Sequence, residues 1–272
     1  EVKDKLPYFI FPNKSPTSNL NVLQIKLNSS ASLILPELPL IYVSVNDNQI
    51  CHIDTSKQAL QHLYSHPSFV TSMSLSSQSQ LLLSTDLSGT AILYSKSLDQ
   101  AKIKGENNLR RINLISPIWC STFAPQGGYF ALGSDDRIIR LYDAPTQKLS
   151  RSLIGHTERI ESVLFHPNCS LLGSLSYDAA LRIWDIRSGE TCRLFLGEAC
   201  NNSGLSISPN GQYAAFFDGR LKICDIGKGE FIIDTQLDNI KSVESTYFSA
   251  DTNYVYAVGS EGTIMCINLF DN

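Results

Sequence analysis

Short segments of alternating or continuous apolar residues run along the whole chain, and turn-forming residues separate them. The apolar segments are about five or six residues long, and Gly, Pro, Asn, Asp and Ser cluster in the gaps. Residues 159–165, 171–176, 180–185 and 191–196 are four such segments in succession. Segments of this length and spacing are typical of antiparallel β-strands joined by tight turns. The pattern therefore predicts an all-β protein.

The strand pattern repeats at a regular interval. One type of segment, which closes on an apolar or aromatic residue, recurs every 40–48 residues, roughly the period of proteins built from repeated four-stranded sheets. These segments end at Ile53, Tyr94, Tyr142, Trp184, Cys224 and Ile267. A single four-stranded sheet cannot bury both of its faces, so the repeats must stack on one another.

The fourth repeat carries a resemblance to a known family. It starts at His156, preceded by glycine, and its third strand ends at Trp184, with Ser176 and Asp178 between them. This arrangement resembles a complete WD40 repeat and implies a β-propeller. In that family the four side chains form a buried hydrogen-bonded tetrad, in which Ser176 would accept the indole N–H of Trp184. The same Ser, His and Asp could suggest a catalytic triad, but the chain has no Gly-x-Ser-x-Gly elbow.

The repeats predict a single propeller domain of six four-stranded blades, with seven blades as the alternative. The sixth repeat contains only three strand segments before the chain ends. An aromatic segment at residues 6–12 lies ahead of the first blade, and we expect it to close the sixth blade as its fourth strand. The blades are predicted at about residues 20–64, 68–112, 117–154, 159–196, 203–235 and 241–269.

The other repeats have lost members of the tetrad. The second keeps His66 but has Asp86 and Ser88 where Ser and Asp are expected. The third has Leu114 in place of the histidine, and the fifth has Phe216 in place of the serine. We expect hydrophobic contacts to replace the polar network in these blades.

Composition narrows the classes of function. The net charge of −4 and the low charged fraction of 18% argue against a dominant nucleic-acid surface, and no direct specific nucleic-acid contact is expected. No apolar run is long enough to span a membrane. Seven cysteines without a Cys-x-x-Cys pair indicate small buried side chains in a reducing compartment. The chain begins without Met, so we expect it to be part of a longer protein.

Motifs for catalysis are missing from the sequence. It contains no P-loop, no Gly-x-Gly-x-x-Gly and no His-Glu-x-x-His, so we expect no enzyme activity, no catalytic residues, no metal, no cofactor and no small-molecule substrate. Propellers of this kind mostly hold other proteins.

Residues 116–235 point to a particular group of WD40 proteins. Pro-Ile-Trp at 117–119, Gly-Tyr-Phe at 128–130, Asp-Arg at 136–137 and Asp-Ile-Gly-Lys-Gly at 225–229 follow one another in consecutive repeats. They resemble the propeller of the WD40-containing TBP-associated factor family of TFIID, which in some lineages also serves SAGA. The resemblance implies a nuclear scaffold that docks histone-fold TBP-associated factors for initiation by RNA polymerase II.

The alternative is a WD40 adaptor of another intracellular complex, in splicing, cilia or ubiquitin ligation, or a reader of histone peptides. In either case WD40 partners often dock on the rim formed by the loops between blades and the turns between the second and third strands. The candidate partner-binding residues on this rim are Trp119, Asp135, Arg137, Arg159, Tyr177 and Phe217. Trp119 and Tyr177 could instead pack between blades, and Arg137 could be solvated or paired with Asp135.

Overall fold

The computed structural model describes residues 32–34, 40–54, 59–76, 81–95, 109–198, 203–237 and 242–270. In these residues the chain forms 23 strands in six antiparallel sheets. The predicted all-β class is therefore confirmed. Within the same ranges no helix occurs that could cross a membrane.

The first three sheets are formed by consecutive strands of the chain. Sheet 1 contains β1 (Ser32–Ile34), β2 (Leu40–Val45), β3 (Gln49–Asp54) and β4 (Ala59–Ser65). Sheet 2 contains β5 (Val70–Ser76), β6 (Leu81–Asp86), β7 (Thr90–Ser95) and β8 (Leu109–Asn113). Sheet 3 contains β9 (Ile118–Phe123), β10 (Tyr129–Ser134), β11 (Ile138–Asp143) and β12 (Leu149–Ile154).

The remaining sheets follow the same order. Sheet 4 contains β13 (Ile160–Phe165), β14 (Leu171–Ser176), β15 (Ala180–Asp185) and β16 (Thr191–Leu196). Sheet 5 contains β17 (Ser203–Ile207), β18 (Tyr213–Phe217), β19 (Leu221–Asp225) and β20 (Glu230–Thr235). Sheet 6 contains β21 (Val243–Phe248), β22 (Tyr254–Gly259) and β23 (Ile264–Asn268).

The sheets stack in the order of the chain, as the blades of a propeller do. The first strand of each sheet lies against the first strand of the next, from β5 to β9, β13, β17 and β21. The second strands β10 and β14 are almost entirely buried, whereas the fourth strands β12 and β16 are mostly exposed. The first strands therefore lie innermost, and the fourth strands form the outer surface of each blade.

The hydrophobic core lies between neighbouring sheets. Ala131 and Ile139 of sheet 3 pack with Leu172 and Trp184 of sheet 4 in one buried cluster. Burial of one large aliphatic side chain contributes about 1.5–3 kcal/mol, so this stacking supplies much of the stability that a lone sheet lacks. The approach is close at Gly133, where an added Cβ would lie 2.5 Å from Cys120 Sγ.

Hydroxyl groups join the inner strands of sheets 2 and 3. Thr71 Oγ1 donates to the carbonyl oxygen of Ile118 over 2.6 Å, and the hydroxyls of Ser72 and Ser121 are 3.1 Å apart. Ser74 Oγ accepts the backbone N–H of Phe123 over 3.1 Å. These bonds satisfy polar groups that sheet pairing alone would leave open, and they fix β9, the strand that carries Trp119.

Two parts of the predicted ring closure cannot be compared with the structure. The proposed closing strand at residues 6–12 and the start of the first predicted blade at residue 20 both lie outside the described residues. Within the described residues, sheet 6 has three strands, with β23 at its edge.

Candidate functional site

A buried polar network joins sheet 4 to the connection that enters it. His156 Nδ1 donates to Asp178 Oδ2 over 3.0 Å, because a carboxylate can only accept. The Oγ of Ser174 lies 2.7 Å from His156 Nε2 and accepts the indole N–H of Trp184 over 2.7 Å. Burial raises the pKa of Asp178, but hydrogen bonds from His156 and from the N–H of Thr157 outweigh it and lower the pKa to about 2.

The tetrad assignment of Ser176 is wrong, since Ser174 occupies that position. Both side chains lie on the same face of β14, because successive residues of a strand alternate between faces. Ser174 lies in the middle of the strand, within reach of Trp184. Ser176 lies at the strand end, where its Oγ donates to the carbonyl oxygen of Glu158 over 3.0 Å and accepts the N–H of Asp178 over 3.2 Å.

The expectation of hydrophobic replacement is wrong for sheet 2, which keeps a polar network with its members rearranged. His66 Nδ1 donates to Asp86 Oδ2 over 3.0 Å, and His66 Nε2 lies 2.7 Å from Ser84 Oγ. Asp86 supplies the carboxylate of this network, although it stands at the sequence position where a serine was expected. In place of an indole, Tyr64 of the preceding sheet has its hydroxyl 2.9 Å from Ser84 Oγ. Burial lowers the pKa of His66, although Asp86 opposes that shift.

A hydrophobic side chain replaces the serine in sheet 5, as expected, and another does so in sheet 3, where the serine was expected to be kept. Leu132 and Phe216 take that place, and both are fully buried. In sheet 3 the acidic residue of the turn is Asp136, which forms an ion pair with Arg140 of the same sheet. The distance between Asp136 Oδ2 and Arg140 Nη2 is 2.6 Å. In sheet 5 the buried Lys222 is surrounded by carboxylates instead.

A second group of side chains lies at the junction of sheets 3 and 4 and is called the rim cluster. Its five members are Trp119, Asp135, Arg159, Glu161 and Tyr177. The guanidinium carbon of Arg159 is 4.6 Å from the ring centroid of Trp119 and 4.5 Å from that of Tyr177. The guanidinium is therefore within cation–π distance of both rings. Trp119 Nε1 donates to Asp135 Oδ1 over 3.1 Å, and Arg159 Nε donates to Glu161 Oε1.

Backbone hydrogen bonds set the position of the cluster. The N–H of Asp135, in the turn after β10, donates to the carbonyl oxygen of Pro117 over 2.9 Å, just ahead of β9. The N–H of Tyr177 donates in the same way to the carbonyl oxygen of Arg159 over 3.0 Å. Each turn between second and third strands is thus fastened to the start of its own sheet. Stacking of sheets 3 and 4 then brings the two sets of side chains together.

The structure brings together four of the six predicted rim residues. Trp119 and Tyr177 are half-buried, and both stack on Arg159 at the junction of two sheets. Asp135 binds Trp119. Arg137 is exposed at the turn with φ of +71°, and among the described residues it forms no ion pair with Asp135.

Phe217 was wrongly placed on the rim. Its side chain is buried in the core between sheets 5 and 6, because it lies on the face of β18 that packs inward with Leu221 and Val255. Glu161 was missed by sequence reasoning. Its position two residues after Arg159 was the available signal, because alternate residues of a strand share a face.

The rim cluster combines two π faces, one guanidinium and two carboxylates in a partly exposed setting. The side chain of Arg159 is 34% exposed and that of Glu161 is 22% exposed. Such groups bind polar and charged side chains of other molecules. Among the described residues, no group of three or more His, Cys, Asp or Glu side chains is arranged to hold a metal ion.

The comparisons with known proteins agree with this architecture. Three segments, residues 57–95, 113–143 and 147–185, match the WD40 family, described as WD domain, G-beta repeat. The chain contains WD40 repeats. Together with the stacked antiparallel sheets, these repeats identify the fold as a WD40 β-propeller.

Relatives with this repeat belong to different complexes. The chain is 26% identical to transcription initiation factor TFIID subunit 5 of Caenorhabditis elegans over 195 residues, which cover 71% of this chain and 29% of that protein. It is 31% identical to apoptotic protease-activating factor 1 of Danio rerio over 125 residues, or 44% of this chain and 10% of that protein.

A third relative is guanine nucleotide-binding protein subunit beta-1 of Homarus americanus, with 30% identity over 154 residues, 54% of this chain and 43% of that protein. The chain thus spans less than half the length of each of these relatives. WD40 propellers generally act as non-catalytic scaffolds for interactions between proteins, and this chain has that architecture.

Proposed function

We propose that this chain is the propeller of a TFIID-type subunit and that it works in the nucleus as a non-catalytic scaffold for initiation by RNA polymerase II. The observation that carries this proposal is the alignment with TFIID subunit 5, which extends over 71% of the chain. The consecutive motifs of residues 116–235 support the same assignment. The partner would be a pair of histone-fold TBP-associated factors.

The rim cluster is the proposed docking face for that partner. Tryptophan, tyrosine and arginine are the residues that most often dominate the binding energy of protein interfaces. Here all three are partly exposed, and they hold one another in place before a partner arrives. Fixed side chains lose less conformational entropy on binding, so the cluster is suited to act as an anchor.

A second candidate function is that of an adaptor in another complex. The alignment with the G-protein beta subunit supports it, because that relative shares 30% identity over 54% of this chain without being a TFIID subunit. Both functions use the propeller as a scaffold, and they differ in the partner.

Affinity purification of the full-length protein from its native cells, followed by mass spectrometry, separates the two functions. Near-stoichiometric recovery of TBP or of histone-fold TBP-associated factors is the expected result. Recovery of another defined complex in their place would reject the TFIID assignment and favour the adaptor.

A rim variant tests the docking face in the same purification. Trp119→Ala combined with Tyr177→Ala removes both rings, and we expect the partner to be lost. Ile154→Ala is the matched control, because Ile154 is 72% exposed on the outer strand β12 and outside the cluster. Equal partner recovery with both variants would reject the rim cluster as the docking face.

A further inference from the structure

We propose that the rim cluster recognises a carboxylate on its protein partner and that the guanidinium of Arg159 is the group that binds it. This inference rests on the proposed function only in taking the rim cluster as the docking face. It names the chemistry of the contact, an acidic side chain in an exposed segment of the partner.

Three side chains contact the guanidinium of Arg159. Its central carbon lies over the rings of Trp119 and Tyr177, and the Nε–H is bound to Glu161. Within the described residues the two Nη atoms have no hydrogen-bond partner. With 34% of the side chain exposed, the Nη edge is the part of the group that is left to bind a ligand.

An Nη edge presents two parallel N–H groups, and a carboxylate matches this spacing with its two oxygens. The two rings and the bond to Glu161 restrict the guanidinium, so a partner carboxylate meets a donor pair whose freedom is already reduced. A flexible exposed arginine would have to lose that freedom on binding. The cluster therefore favours a bidentate contact with an acidic side chain.

Charges around the edge are consistent with this ligand. Glu161 and Asp135 have hydrogen-bond donors of their own, in Arg159 and Trp119, and Arg137 adds an exposed positive charge two residues from Asp135. A cationic ligand would instead have to displace Arg159 from the two rings and from Glu161. The chain's own arginine already occupies the place that such a ligand would need.

Selection of a displayed random dodecapeptide library on the full-length protein tests the inference without knowledge of the partner. We expect the enriched peptides to share an Asp or Glu. Fluorescence anisotropy with a synthetic enriched peptide should show at least tenfold weaker binding when that residue is replaced by the matching amide. Enrichment of Lys or Arg peptides, or of none, would overturn the inference.

Glu161→Gln gives a test with an opposite sign for the two kinds of ligand. The amide oxygen can still accept from Arg159 Nε, but the negative charge beside the guanidinium is removed. Binding of an acidic peptide should become about threefold tighter, whereas a cationic ligand would be weakened. Weaker binding of the acidic peptide to this variant contradicts the proposal.

Arg159→Lys keeps the positive charge but cannot offer two parallel N–H groups. We expect about tenfold weaker binding of the acidic peptide, and unchanged binding would show that Arg159 does not hold it. Circular dichroism of each variant is the control that tests whether the fold is intact. Loss of peptide recognition with intact co-purification of TBP-associated factors would reject this inference and leave the proposed function standing.

Discussion

Two serines on one strand should differ sharply in their effect on stability. Ser174→Ala removes the oxygen that accepts the indole N–H of Trp184 and that lies 2.7 Å from His156 Nε2. Both partners are buried, and each buried polar group left unpaired costs about 1–3 kcal/mol. We therefore expect Ser174→Ala to lower the free energy of unfolding by about 2–4 kcal/mol.

Ser176→Ala is the matched variant, since it removes the same atom two residues away. Its hydroxyl donates to the carbonyl oxygen of Glu158 and accepts the N–H of Asp178, and neither of these two residues is fully buried. The expected loss is about 1 kcal/mol, because partners in residues that are not fully buried cost less to leave unpaired than the buried His156 and Trp184.

Denaturation in guanidinium chloride, followed by tryptophan fluorescence, measures both variants, because Trp184 is buried in the native state. In thermal unfolding, Ser174→Ala should lower Tm by roughly 4–16 °C, at about 2–4 °C for each kcal/mol in a protein of this size. If Ser176→Ala proves as destabilising as Ser174→Ala, the assignment of the network to Ser174 is refuted.

Three further changes test other parts of the structure. Tyr64→Phe leaves Ser84 without its phenol partner and should cost about 1 kcal/mol in urea denaturation; no loss would mean that this bond contributes nothing. Gly211→Ala should lower Tm by several degrees, because φ there is +76° and the new Cβ would lie 2.3 Å from His166 Cε1; an unchanged Tm would contradict that packing. The pKa of Asp178 falls from 3.8 to about 2 on folding, so its stabilisation is present above pH 3.8 and is lost as the pH falls towards 2. The difference in unfolding free energy between wild type and Asp178→Asn should therefore shrink by about 2 kcal/mol over that range, and a constant difference would argue against the shift.

Local sequence rules were sufficient for the strands. In sheet 4 the predicted segments 159–165, 171–176, 180–185 and 191–196 begin and end within one residue of the observed strands. The two-residue alternation and the turn residues depend on neighbours along the chain, which a sequence displays directly. The repeat spacing likewise indicated how the sheets follow one another.

Roles within the polar networks could not be read from the sequence. Ser174 and Ser176 lie on the same face of one strand, and only the position of Trp184 on the next strand separates them. The tyrosine hydroxyl in sheet 2 comes from Tyr64 of the preceding sheet. The order of residues along the chain does not show that a side chain of one sheet contacts a serine of the next sheet.

The rim cluster shows the same division. The sequence alone named Trp119, Asp135, Arg159 and Tyr177 as loop residues on one rim, because each lies beside a predicted turn or strand start. Only the stacking of sheets 3 and 4 decided that Arg159 contacts both rings, and only the packing of sheets 5 and 6 decided that Phe217 is buried. Periodicity and turn chemistry are local properties that the sequence determines, whereas contacts between sheets depend on how whole blades pack, and only the tertiary structure decides them.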